Sequence, residues 1–159
     1  MSNFFTEVNM KNIIFKTNDD WTGLIIRLTV GLILLPHGAQ KMLGMFNGFG
    51  FSGTMNYFTG TMHLPWVIGF LVIVIEFVGS ISLILGFATR LWALGVVAVF
   101  TGVIITTHLN NGFFMNWFGN QKGEGYEFDL LMIGLSIAIL LNGSGKYSID
   151  KTLFLSINA

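Results

Sequence analysis

The stretch LPWVIGFLVIVIEFVGSISLILG, residues 64–86, carries a single ionisable side chain, Glu76, in an otherwise apolar run. At ~1.5 Å per helical residue it is long enough to cross a hydrocarbon core ~30 Å thick. Segments 21–43 and 91–109 have the same character. Segment 128–141 is a shorter fourth, which must borrow Tyr126 and Glu127 or end at a locally thinned interface. The ionisable residues that stand out in or beside these stretches are Arg27, His37, Lys41, Glu76, Arg90 and His108. A charge at the centre of a membrane helix costs at least ~2.5 kcal/mol, so each needs a physical reason to be there.

Composition supports the same class. Of 159 residues, 53% are hydrophobic and 10% charged, with a mean hydropathy of +0.71. A soluble domain carries about 25% charge. Four spans and their loops use nearly the whole chain, so the expected fold is all-α, an integral membrane four-helix bundle over residues 21–145. Residues 1–20 are then a cytoplasmic N-terminal segment and 146–159 a cytoplasmic C-terminal tail. The absence of cysteine excludes disulfides, thiolate metal sites and iron–sulfur ligation. With zero net charge and no basic cluster, nucleic acid is not an expected partner. The first twenty residues lack the apolar core and cleavage site of a signal peptide, so the first span is expected to insert itself.

Lys11, Lys16, Arg90, Lys146 and Lys151 flank the spans on the side of the N-terminus, while Lys41 and Lys122 lie toward the other. The positive-inside rule puts both termini in the cytoplasm. The segment 86–90 is barely long enough to reverse direction, so the second and third spans form an antiparallel hairpin. The two segments on the opposite side, 44–63 and 110–127, interleave glycines with aromatic rings. They read as packed interfacial segments capping the outer face, with a short helix around 52–59. Their aromatics serve either as an interfacial belt or as a lid over a lipid-soluble ligand.

In the first span, Arg27 and Lys41 fall within ~40° of one line, and His37 lies ~40° from Lys41. Gly31 and Gly38 share that face and admit a close neighbour. Pro36 removes a backbone hydrogen bond and is expected to kink the helix. Glu76 reads as the only acid deep in any span. It is expected either to pair with Arg27 and dock the first two helices, or to form a proton or ligand site. His37 and His108, near the outer ends of the first and third spans, suit a polar ligand pocket, plain packing, or metal or haem ligation. Without a CxxCH motif or a second histidine pair, no metal site is assigned and haem is not expected.

The pattern R-L-x-V-G-x-x-L-L-x-H-G-x-x-K spans residues 27–41, and E-x-x-G-x-x-x-L-x-L-G-x-x-T-R spans 76–90. H-L-x-N-G-F-F follows at 108–114, G-x-G-Y-E at 123–127 and G-x-G-K-Y-S-I-D at 143–150. Together, in this order, they resemble the DoxX family of small four-helix bacterial membrane proteins. The resemblance implies a four-helix bundle in the bacterial inner membrane and a role beside quinone-linked oxidoreduction. It places Arg27, His37, Lys41, Glu76, Arg90, His108, Asn111 and Glu127 at the family's polar positions.

The expected function is therefore a quinone- or lipid-binding subunit of a membrane oxidoreductase system, with quinone as the cofactor. The bilayer, a redox partner subunit and further copies of the chain are the expected partners. His37, Lys41, His108, Asn111 and Glu127 would contact the ligand, Arg27 and Glu76 would hold helices in register, and Arg90 and Asp150 would pair at the cytoplasmic end. The alternatives are a non-catalytic assembly module and a small proton-linked transporter using Glu76.

Overall fold

The computed structural model describes residues 14–157, and among these the regular structure is entirely helical. Lys11 and most of the expected N-terminal segment lie outside the described residues. Helix α1 is Trp21–Leu43, and α2, Gly50–Asn56, passes into a π turn at Tyr57–Thr61. Helix α3 is Trp66–Leu85, with a π turn at Ile75–Gly79. Helix α4 is Thr89–Asn111 and contains a π turn at Ile104–His108. Helices α5, Glu127–Asn142, and α6, Ile149–Ile157, complete the chain. Helices α1, α3 and α4, with 23, 20 and 23 residues, are long and apolar enough to cross a membrane. The expected fourth span is the 16-residue α5, which at ~1.5 Å per residue reaches only ~24 Å.

The helix ends follow from local chemistry. Asp20 caps α1 by accepting from Gly23 N at 2.7 Å, and Gly44 ends it at φ 73°, a conformation open to glycine. The helix runs unbroken through Pro36. Gly86, at φ 71°, ends α3 and starts the tight reversal into α4. This reversal and residues 143–148 form one end of the molecule, the turn end, and residues 44–65 and 112–126 form the opposite, loop end.

Helix α1 is the centre of the assembly, packed by α3 on one side and α5 on the other, with α4 held against α5. Val30, Leu34, Leu83, Ala93, Val96, Phe100, Met132 and Ile139 form one core where the four meet. Met55, Phe58 and Ile73 form a second core beneath α2. The outward faces are apolar as well, with Leu32, Leu94, Ile105 and Leu131 all exposed. In water such faces would drive aggregation, whereas in lipid they are solvated.

The α1–α3 contact depends on missing side chains. A Cβ on Gly38 would lie 2.5 Å from the Glu76 carbonyl carbon and oxygen, and one on Gly31 would lie 3.0 Å from Ser80 O. Backbone therefore meets backbone at Glu76. Gly38→Ala is expected to wedge the helices apart and cost about 1–3 kcal/mol, the range for overpacking. Thermal denaturation in detergent checks this, and an unchanged midpoint would contradict it.

At the turn end one side chain ties three segments together. Arg27, 1% exposed, uses all five of its N–H donors on backbone carbonyls. Nε donates to Ser144 O at 2.9 Å, and Nη1 to Leu83 O and Ile84 O at 3.0 and 2.5 Å. Nη2 donates to Lys146 O and Tyr147 O at 3.1 and 2.8 Å. Arg27 thus caps the last turn of α3 and binds the 143–148 loop to α1, and the expected Arg27–Glu76 pair does not form. The register explains why. Gly38 faces Glu76, and Arg27 lies eleven residues, ~16 Å, further toward the turn end, where free carbonyls are nearer.

The expected C-terminal tail is also part of the fold. Asp150, at the start of α6, accepts from Ala88 N, Thr89 N and Thr89 Oγ1 at 2.6, 3.0 and 2.7 Å, capping α4. Its own N–H returns to Gly86 O at 2.9 Å. Burial pushes the Asp150 carboxyl above its ordinary range, and the Thr89 and Ala88 donors oppose that shift. Arg90 Nη2 donates to Leu141 O, and an Arg90–Asp150 pair is not among the ion pairs of the described residues. Asp150 is taken up by the α4 amides, and Arg90 reaches Leu141 O on α5.

Candidate functional site

The turn-end half of α3, Ile75–Leu85, packs against α4, but its loop-end half, Trp66–Val74, barely touches that helix. The two helices leave their short reversal together and then part. Between them lies a cleft of about 420 Å³. That volume is within the range of small-molecule sites.

The walls are mostly apolar. Ile68, Leu71, Val72 and Ile75 come from α3, and Ala98, Val99 and Val103 from α4. Tyr57, Phe58 and Met62 close the loop end. Gly102 also lines the cleft, and a Cβ there would meet nothing within 4 Å. Charged and polar groups are few: Lys41, Glu76, Thr106, Thr107 and His108. Each of the three π turns among the described residues supplies lining groups: Tyr57 and Phe58, Ile75 and Glu76, and Thr106 to His108. A π turn widens the helix and redirects its side chains, and such turns recur at functional sites.

Two ion pairs border this space. Lys41 Nζ lies 2.5 Å from Glu76 Oε2, with side chains 27% and 7% exposed. Lys41 is one turn beyond Gly38, so the close helix approach that removes Arg27 from reach brings Lys41 to Glu76. Across the cleft, His108 Nδ1 lies 2.6 Å from Asp129 Oδ2 on α5. Asp129 is 1% exposed, so Glu76 is not the only buried acid in the helices. The signal for Asp129 was local: an acid one residue inside the fourth apolar run, one turn from an end, passes as an interfacial charge.

The structure separates the remaining expected ligand residues from the cleft. Lys41 and His108 line it, whereas His37, Asn111 and Glu127 do not. Asn111 Nδ2 donates to Glu124 O at 2.9 Å. Glu127 Oε1 accepts from Met115 N at 2.9 Å and Trp117 Nε1 at 3.2 Å. These two residues hold the 112–126 loop in shape. Gly125 belongs to the same device, since a Cβ there would lie 2.3 Å from Phe114 O.

Three apolar spans, a fourth helix packed against α1 and α4, and a cleft with polar groups at few positions define a small membrane protein with an internal ligand-sized space. The DoxX family model matches residues 23–109, and the chain belongs to that family. It is 31% identical over 131 residues to a Bacillus subtilis (strain 168) protein named "Putative oxidoreductase CatD", covering 82% of this chain and 86% of that one. It is 29% identical over 143 residues to "Inner membrane protein YqjF" of Escherichia coli (strain K12), covering 87% and 96%. No solved structure matches the chain.

Proposed function

We propose that this protein binds a lipid-soluble quinone in the α3–α4 cleft and serves a membrane oxidoreductase system as its quinone-binding subunit. The observation that carries this reading is the parting of α3 from α4 over their loop-end halves. The space between two lipid-facing helices is apolar along most of its length and polar at Lys41, Glu76 and His108. An isoprenoid tail suits Ile68, Leu71, Val72 and Val99. A ring oxygen suits the Lys41 ammonium, which is paired but retains N–H donors. The relative named as an oxidoreductase is consistent with such a role. Electron transfer itself needs a partner or cofactor, because the chain has no cysteine and no dinucleotide motif.

Mass spectrometry of organic extracts from protein purified out of native membranes tests the proposal. Wild-type protein is expected to carry near-stoichiometric quinone. Gly102→Leu, which fills the cleft from a position with free space, is expected to lose at least ~90% of it while keeping its melting point. Equal quinone in both samples, or only bulk phospholipid in the wild type, would sink the reading.

Lys16, Arg90, Lys146 and Lys151 gather at the turn end, with Lys151 Nζ 2.8 Å from Asp19 and Lys146 Nζ 4.8 Å over the Trp21 ring. Lys151 holds the exposed Asp19 carboxyl below its usual value. We propose that this end faces the bacterial cytoplasm. The chain is free of cysteine, so a single Asn120→Cys can be probed on intact spheroplasts with a membrane-impermeant maleimide. Labelling is expected, and protection until lysis would reverse the assignment.

A second reading, a non-catalytic assembly module, is favoured by one observation. Trp117 and Phe118, 79% and 90% exposed, project from a loop that is internally hydrogen-bonded. That reading expects Trp117→Ala to reduce recovery of a partner without altering bound quinone.

A further inference from the structure

Asp129 is the buried acid that quinone binding at Lys41 and His108 leaves without a task. It stands in the first turn of α5, 1% exposed, with the His108 ring as its side-chain partner. Across the 2.6 Å between them, the ring's Nδ1–H can donate to an Asp129 carboxylate oxygen. That bond uses one ring nitrogen. Nε2, with its lone pair, is left for the cleft that His108 lines.

The opposite wall carries the converse chemistry. Lys41 offers only donors, and its partner Glu76 takes one of them. Lys41 and His108 thus offer a donor and an acceptor from opposite walls, beside the Glu76 carboxylate and the Thr106 and Thr107 hydroxyls. A quinone ring has acceptor oxygens alone, whereas a hydroquinone has hydroxyls that can both accept and donate. We propose that Asp129 is a positioning residue that holds His108 in its hydrogen-bond-accepting tautomer, and that the cleft thereby selects the hydroxylated, reduced head over the carbonyl form. This rests on the quinone reading of the cleft.

The test is equilibrium binding to the full chain in nanodiscs, under anaerobic conditions, of a decyl-tailed benzohydroquinone and the matching benzoquinone. Wild type is expected to bind the hydroquinone about tenfold more tightly, the discrimination of one buried hydrogen bond. In Asp129→Asn the amide can donate to Nδ1 and drive the proton to Nε2. The preference is then expected to vanish or invert, with quinone affinity within about threefold of wild type. A merely structural role would weaken both forms alike. Absent preference in wild type, or preference unchanged in Asp129→Asn, overturns the inference and leaves the quinone reading standing. If wild type binds neither form, the quinone reading falls and takes the inference with it.

A second measurement needs no Asp129 variant. ¹⁵N side-chain spectra of the three histidines, with His108 assigned from His108→Gln, are expected to show protonated Nδ1 and bare Nε2. An Nε2–H or imidazolium signature for His108 overturns the proposal.

Discussion

Arg27→Leu is expected to destabilise the folded protein strongly. The substitution leaves the carbonyls of Ile84, Ser144, Lys146 and Tyr147 without the Arg27 donors, while Leu83 O keeps the Gly86 amide. Each stranded group costs ~1–3 kcal/mol, so the total is on the order of 5 kcal/mol or more even if water reaches some of them. For a chain of this size that lowers a melting midpoint by roughly 10–20 °C. Arg27→Lys keeps the charge but has three donors on one atom, and cannot span acceptors that come from α3 and from the 143–148 loop. It is expected to recover only part of the loss. Size-exclusion chromatography and thermal denaturation in detergent measure both. A Lys variant as stable as wild type would show that the guanidinium geometry is dispensable and that only a charge is needed.

The second large effect concerns Lys41 and Glu76. Lys41→Met leaves a buried carboxylate, and Glu76→Leu leaves an ammonium beside an apolar cleft. Breaking a buried pair costs ~3–5 kcal/mol, and the 27% exposure of Lys41 places this pair at the lower limit. Replacing both partners by apolar residues is expected to restore stability to within ~1 kcal/mol of wild type, because no charge is then stranded. Bound quinone, by contrast, is expected to stay lost in the double variant, since the ring oxygen has no cation to meet. Stability and ligand content would thus part company. If the double variant is as unstable as either single one, the pair is not an isolated charge problem. If it keeps its quinone, Lys41 does not contact the ligand.

These two sites show where sequence reading succeeds. Arg27, Lys41 and Glu76 stand out as charges in apolar runs, a property of composition visible without any fold. Which charge meets which partner depends on the register between α1 and α3. That register is decided where Gly38 lets the backbone of α1 touch α3 at Glu76. A stripe of cations on one face is consistent with either pairing, and only a tertiary contact picks Lys41. Arg27 illustrates a further difficulty. Its acceptors are backbone carbonyls at a helix end and in a distant loop, and carbonyls leave no mark in a sequence.

In sequence, residues 146–159 read as a cytoplasmic C-terminal tail, with Asp150 as a partner for Arg90. Residues 143–150 prove to be a loop and cap, with Gly145 against Gly23 and Asp150 on the α4 amides. Asp129 was missed for a related reason, since its burial comes from packing of α5 against α4 and from His108, neither of which its own neighbours reveal.

By itself the sequence determined the membrane class, the positions of the long helices and the glycines at their ends. Hydropathy, helix length and left-handed turn conformations are local quantities, summed along the chain. Only the tertiary structure decided the cleft, because it exists where two sequence-adjacent helices part. It also decided the two ion pairs beside that cleft, which join residues 35 and 21 positions apart. The separation reflects side-chain packing against α1, α2 and α5, and no periodicity within α3 or α4 encodes it.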